Sequence, residues 1–149
     1  MYPPLLFMHS YLRWLALGAI LFVFVRALLG LAQGGAWKGT DTMWAKAAAH
    51  LTTVQLVVGI LLYAVSPYVR DLLDNMGATM QNSVARFFAV EHAFVMVLAL
   101  GAVQMGAAMA KKGKTDKAKF TRVAVAFGIA IALIGYGIPW TRPLFRLGM

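Results

Sequence analysis

The chain contains no cysteine, and only 5 of its 149 residues are acidic. Without thiols there can be no disulfide, thiolate metal site, iron–sulfur cluster or covalent c-type haem attachment. Histidine remains as the principal side-chain metal ligand. Charge is scarce altogether, with 13% charged against 61% hydrophobic residues, whereas soluble domains are about a quarter charged and about half apolar. These figures exclude a soluble globular domain and imply one polytopic membrane domain with little mass outside the bilayer. A net charge of +9 would suggest nucleic acid in a soluble protein. Here the basic residues lie mostly between apolar runs, where topology and anionic lipid explain them. The start, Met-Tyr-Pro-Pro-Leu-Leu-Phe, lacks a basic region and a small-residue cleavage site, so no removable signal peptide is expected.

Charges and turn residues divide the rest into four spans, about 5–31, 42–66, 84–110 and 120–139, each sufficient for a hydrocarbon core that takes about 20 helical residues. Gln33, Gly34 and Gly35 close the first; Asp41 or Thr42 is the expected N-cap of the second, which stops at Ser66-Pro67. The expected fold is all-α, a four-transmembrane-helix bundle forming a single domain. Between the second and third spans, Val69, Leu72, Leu73, Met76 and Met80 recur at helical spacing opposite Arg70, Asp71, Asp74 and Asn75. This predicts a short interfacial helix, which either lies over the end of the bundle or rests its apolar face on lipid.

Lysine and arginine set the orientation. Lys111, Lys112, Lys114, Lys117, Lys119 and Arg122 cluster after the third span, and Arg26, Lys38 and Lys46 flank the first loop. Arg13, Arg70, Arg86, Arg142 and Arg146 on the other side are diluted by Asp71, Asp74 and Glu91. The positive-inside rule makes the first side cytoplasmic and turns both termini outward, in a bacterium to the periplasm. Trp14, Tyr68, Tyr136 and Trp140 near one boundary, and Trp37 and Trp44 near the other, fit aromatic belts.

Each of the first three spans carries one histidine: His9, His50 and His92. Alternating span direction puts His9 and His92 at one depth near the outer end. It puts His50 roughly 15 Å lower, too far to share a metal ion with the others. Two imidazoles facing each other inside a helical bundle are what a b-type haem requires. His9 and His92 are therefore the candidate iron ligands, with Phe88, Ala89, Val95, Met96 and Ala99 along the face of His92 and Arg13, Arg86 and Arg142 as candidate propionate partners. The alternative is ordinary helix packing, with a histidine hydrogen-bonded to a backbone carbonyl.

Arg13, one turn past His9, lies at the depth of Glu91, and an ion pair between them is expected because an unpaired charge there is costly; snorkelling is the alternative. His50, with Gln55 on the same span, forms a separate candidate: a quinone headgroup site, or a second haem with a methionine ligand. Methionines at helical spacing also serve as core packing.

The segments His9-Ser-Tyr-Leu-Arg13-Trp14, Ala49-His50-Leu-Thr-Thr-Val-Gln55 through Gly59 to Tyr63 and Ser66-Pro67, and Arg86-Phe-Phe-Ala-Val-Glu91-His92 resemble a family of small four-helix bacterial membrane proteins called cytochrome b-like. The architecture also resembles the four-helix cytochrome b561 group. The resemblance implies a respiratory or redox protein of the bacterial inner membrane, binding haem b and exchanging electrons with quinone or quinol, alone or with respiratory-chain proteins. A quinol-linked oxidoreductase or an electron-transfer subunit would both satisfy it. Three histidines, none in the fourth span, restrict it to one bis-histidine haem. Two other classes stand beside this one. A scaffold or accessory subunit would use the buried polar residues as helix ties. A small proton-coupled transporter would use Glu91 and the histidines as a relay, against which stands the absence of Gly/Pro-interrupted spans. Small residues such as Ala102 and Gly106 suit a close helix contact, within the bundle or between copies.

Overall fold

Four of the helices in the computed structural model, which describes residues 1–140, are long and apolar enough to cross a membrane. They are α1 (Tyr2–Gln33), α2 (Gly39–Val65), a third span over Ser83–Lys111, and α7 (Asp116–Gly137). The third span is composite: α5 (Ser83–Arg86), a π-helical turn (Phe87–Glu91) and α6 (His92–Lys111). Two short helices, α3 (Pro67–Asp74) and α4 (Met76–Gln81), join α2 to it. The long helices run antiparallel to their chain neighbours and pack as a ring, α1 on α2, α2 on α6, α6 on α7 and α7 on α1. This leaves α1 and α6 facing each other across one diagonal.

Lipid is as apolar as leucine, so helices associate here through close packing rather than hydrophobic burial. The interior is accordingly small-residue rich: Ala27, Ala45, Ala48, Ala99, Ala110 and Ala130 are buried among Ile20, Val103, Val123 and Phe127. The larger side chains, such as Leu15, Phe22, Ile60, Phe94 and Ile129, are exposed, where lipid would cover them.

The lysine-rich end is closed by a polar knot. Arg26 of α1 forks onto Asp41 of α2 at 2.8 and 3.1 Å, and the Asp41 side chain is only 5% exposed. Asp41 also accepts from the Lys38 N–H at 2.8 Å. It is therefore the third residue after the N-cap Lys38, and its side chain reaches back to the N-cap N–H. The expected cap at Asp41 or Thr42 is thus displaced, because the carboxylate is more useful reaching back to the helix start while neutralising Arg26. The Arg26 guanidinium lies 5.1 Å from the centre of the Phe120 ring, and Trp37 meets the same ring edge-on at 5.0 Å. Phe120 fits because Gly30 faces it: a Cβ there would stand 2.5 Å from the ring. At the far end of α1, Gly34 takes φ 62° and ends the helix as expected.

The connector between α2 and the third span is two helices, not one. Ser66 caps α3 by accepting from the Val69 N–H at 3.3 Å, and the break at Asn75 lets Thr79 Oγ1 donate back to the Leu72 carbonyl at 2.7 Å. Val69 and Thr79 are buried, and Tyr68 stacks edge-on to Phe88 at 5.8 Å. The connector is thus folded onto the bundle end.

A Gly30→Ala substitution should cost about 1–3 kcal/mol by overpacking against Phe120. Adding Phe120→Leu should return part of that loss, as read from thermal melts in detergent. Additive losses in the double variant would show that the two residues are not in contact.

Candidate functional site

The π-helical turn determines how the third span presents its ionisable residues. A π-turn accommodates one extra residue and closes with an i→i+5 hydrogen bond, here from the His92 N–H to the Phe87 carbonyl. Residues five apart are thereby brought to one face. Arg86 Nε donates to Glu91 Oε1 at 2.7 Å, and the Tyr136 hydroxyl of α7 donates to Glu91 Oε2 at 3.1 Å. The carboxylate expected on Arg13 is held instead by Arg86 and Tyr136, since regular α-helical spacing would have turned Arg86 away from Glu91. Arg86 also donates to the Met80 carbonyl at 3.0 Å, so it braces the chain as well as the carboxylate. Tyr63 of α2 braces the turn, its hydroxyl donating to the Ala89 carbonyl at 2.5 Å.

Immediately after the turn, His92 reaches into the bundle. Its Nδ1 lies 2.6 Å from the carbonyl oxygen of Gly137, the last residue of α7. A helix ends with carbonyls that have no intrahelical donor, and the imidazole supplies one. Because a carbonyl only accepts, Nδ1 carries the proton and Nε2 presents a bare lone pair. This is the orientation in which a metal-ligating histidine is commonly held.

His9 comes from the opposite corner. Its ring centre is 6.3 Å from that of His92, with planes 75° apart, so the two histidines meet at one level as their depths predicted. Gln55 of α2 donates through Nε2 to the His9 carbonyl at 2.9 Å, and the same nitrogen is 3.5 Å from His9 Nε2, too far for a strong bond. Among the described residues, His9 Nδ1 and Gln55 Oε1 are buried without a hydrogen-bond partner. Gln55 thus belongs with His9 and not with His50, the partner expected from sequence. The two are five residues apart on α2 and turned to different faces.

The remaining corners of this layer are glycines. A Cβ at Gly59 of α2 would come within 3.0 Å of the His9 ring, and one at Gly137 of α7 would collide with the Met96 methyl. Neither glycine was singled out as a site residue from the sequence, although Gly59 falls within a segment that carries the resemblance. Their importance is visible only once the helices are in register. Phe88 turns toward Tyr68 and Phe87 rather than lining the histidine pair; Phe87 is the nearer ring, 5.9 Å from His92. Arg13 lies with its guanidinium 5.2 Å from the Trp14 ring centre, half-buried one turn from His9. Arg142 and Arg146 lie outside the described residues.

His50 stands apart. It is exposed on α2, midway between Asp41 and Gly59, which puts it about 13 Å from both polar layers. That is nearer the middle of the bundle than the inner end expected for it. The separation from the histidine layer is close to the roughly 15 Å expected from the helical rise.

As a donor set, the histidine layer is specific in what it can hold. Among the described residues no group of three or more His, Asp or Glu side chains converges on one point, so a metal held by His9 and His92 would need its remaining ligands from elsewhere. Two opposed imidazoles fit a metal whose other ligands arrive with it in a macrocycle. The orphaned His9 nitrogen, the fixed tautomer of His92 and the glycines on the other two helices agree with that fit. The positively charged flank rests on Arg13. Compared with known proteins, the chain matches no family, no curated protein and no solved structure. The fold and site define a multi-pass, all-helical membrane protein with a polar layer across a bundle diagonal.

Deleting the exposed Val90 removes a residue the π-turn accommodates and should leave the melting temperature within a few degrees. Deleting Val97 in the regular part of α6 should unfold the bundle, because it rotates the helix by about 100°. Equal losses would show that the turn carries no slack.

Proposed function

We propose that this chain is a membrane-bound haem b protein that carries electrons, with one haem between His9 and His92. One observation carries the reading: imidazoles from diagonally opposed helices with ring centres 6.3 Å apart. Two imidazoles that each bring a nitrogen about 2 Å from a single metal ion have ring centres about 6 Å apart. When bound, the haem supplies an iron that changes oxidation state by one electron.

The chain's residues do the rest. His92 would hold the haem iron through Nε2 while its Nδ1–H stays on Gly137, a contact that fixes the ring and increases its basicity. His9 offers an imidazole that no strong hydrogen bond consumes. Arg13 would be the propionate partner among the described residues. The alanine-rich interior would exclude water from a bound haem, which supplies one-electron redox chemistry. The lysine-rich loop orients the bundle with that end in the cytoplasm and the histidine layer near the outer face of a bacterial inner membrane. Quinol is the membrane-soluble redox partner that fits such a carrier, and other respiratory-chain proteins fit as acceptors.

A second reading, a non-redox scaffold or accessory subunit, is favoured by the same polar contacts read as ties: His92 to Gly137 joins α6 to α7, and Gln55 to His9 joins α2 to α1. An absorption spectrum separates the two. Protein expressed with ample haem should show a Soret band and, after dithionite, a sharp alpha band. His9→Ala and His92→Ala should each abolish these bands whereas His50→Ala should keep them. A colourless wild-type preparation would overturn the haem reading and leave the scaffold reading standing.

A further inference from the structure

His50 is exposed on the face of α2 that points away from the bundle, and among the described residues it makes no hydrogen bond. Ionisable side chains within a membrane nearly always face the bundle interior or a partner, because hydrocarbon offers no hydrogen bond in exchange. The Arg26–Asp41 knot and the histidine layer lie about 27 Å apart along α2, against a hydrocarbon core of about 30 Å. His50, halfway between them, is near the bilayer centre and out of reach of headgroups. Gln104, an exposed polar residue of the third span, is by contrast engaged, its amide donating to Thr53 Oγ1 at 2.8 Å. We propose that the outer face of α2 is the interface of a homodimer, in which His50 of one copy hydrogen-bonds to His50 of a second.

The seam consists of Met43, Ala47, His50, Val54, Val57 and Leu61, which recur at alternating spacings of four and three. Met43, Val54, Val57 and Leu61 are between 49% and 55% exposed, so their outer halves are open to a neighbour. The spacing suits a left-handed pair of helices crossing at about 20°. Any outward helix face repeats in about this way, and what distinguishes this one is the imidazole within it. A single polar residue in an apolar seam fixes the register and number of helices. A neutral imidazole carries one N–H donor and one acceptor nitrogen, so it is complementary to a copy of itself. Two copies with the same topology bring their α2 helices together parallel and their His50 residues to one depth, as a two-fold axis along the membrane normal requires. A different protein would have to bring its own polar group to that depth.

The opposite face of α2 is occupied. Gln55 donates to the His9 carbonyl and Gly59 lies against the His9 ring, so a second copy can cover the outer face without disturbing the histidine layer. The small residue Gly106 of α6 is used within the bundle, since a Cβ there would stand 2.8 Å from the Ala126 Cβ of α7. The seam is about 27 Å long and about one helix, or 10 Å, wide. That is well short of the roughly 800 Å² per partner usual for complexes in water. Helices in lipid gain no hydrophobic term by pairing, so this dimer depends on the His50 contact.

Because the chain has no cysteine, single cysteines report the interface directly. In proteoliposomes of the purified full chain, mild oxidation should cross-link Val54→Cys and Val57→Cys into dimers. Ile129→Cys, on the exposed face of α7, should stay monomeric. At high lipid dilution, adding His50→Leu to Val57→Cys should lower the cross-linked yield, as for association about three- to tenfold weaker, and adding His50→Asn instead should restore most of it. Leucine suits a lipid-facing position, so His50→Leu is expected to fold, and the pattern among the three cysteine variants is read with His50 intact in any case. No cross-link at either seam position, equal cross-linking at Ile129→Cys, or an undiminished yield in the leucine variant overturns the proposal. So does a seam cysteine that, in cell membranes, links only to a different protein.

Discussion

Hydrocarbon offers no hydrogen bonds, and the arrangement of this chain follows from where it puts the polar groups it cannot avoid. Apart from the seam patch around His50, the polar side chains on which the bundle depends are gathered into two layers near its ends. At the lysine-rich end an arginine, an aspartate and two aromatic rings close upon one another around Gly30. At the other end every spanning helix contributes: His9 from α1, Gln55 and Gly59 from α2, His92 from α6 and Gly137 from α7. The first layer satisfies itself. The second leaves an imidazole nitrogen and an amide oxygen buried without partners among the described residues, and this difference separates a structural tie from a candidate site.

The π-helical turn links the layer to the surface. By absorbing one residue between Arg86 and His92 it lets Arg86 and Glu91 pair on the outside while His92 points inward to the end of α7. Glu91 in turn binds Tyr136 one residue before Gly137, so α6 and α7 are clamped on both sides of the histidine. The geometry of His92 is thus overdetermined, as a ligand held in one tautomer needs to be.

The sequence made the helices legible because composition and charge boundaries suffice for spans this apolar. The shared depth of His9 and His92 was legible for the same reason, since alternating span direction and 1.5 Å per residue fix depth without any knowledge of packing. Rotation about each helix axis was not legible. That is why Glu91 was placed on Arg13, Gln55 beside His50 and Phe88 on the histidine face. A π-turn has no compositional signature in Phe-Phe-Ala-Val-Glu, and the roles of Gly59, Gly137 and Gly30 depend on which side chain the opposite helix presents. The reach of Asp41 back to the helix start was hidden because Lys38 is an unusual N-cap.

The claim on which the functional account turns is that both imidazoles hold one iron. Electron paramagnetic resonance of the oxidised protein at low temperature tests it directly, since spin state reports the axial ligands and signal anisotropy reports the angle between their planes. With rings 75° apart, the account predicts a strongly anisotropic low-spin ferric signal. A high-spin ferric signal, or protein saturated with haem supply that carries none, would contradict it.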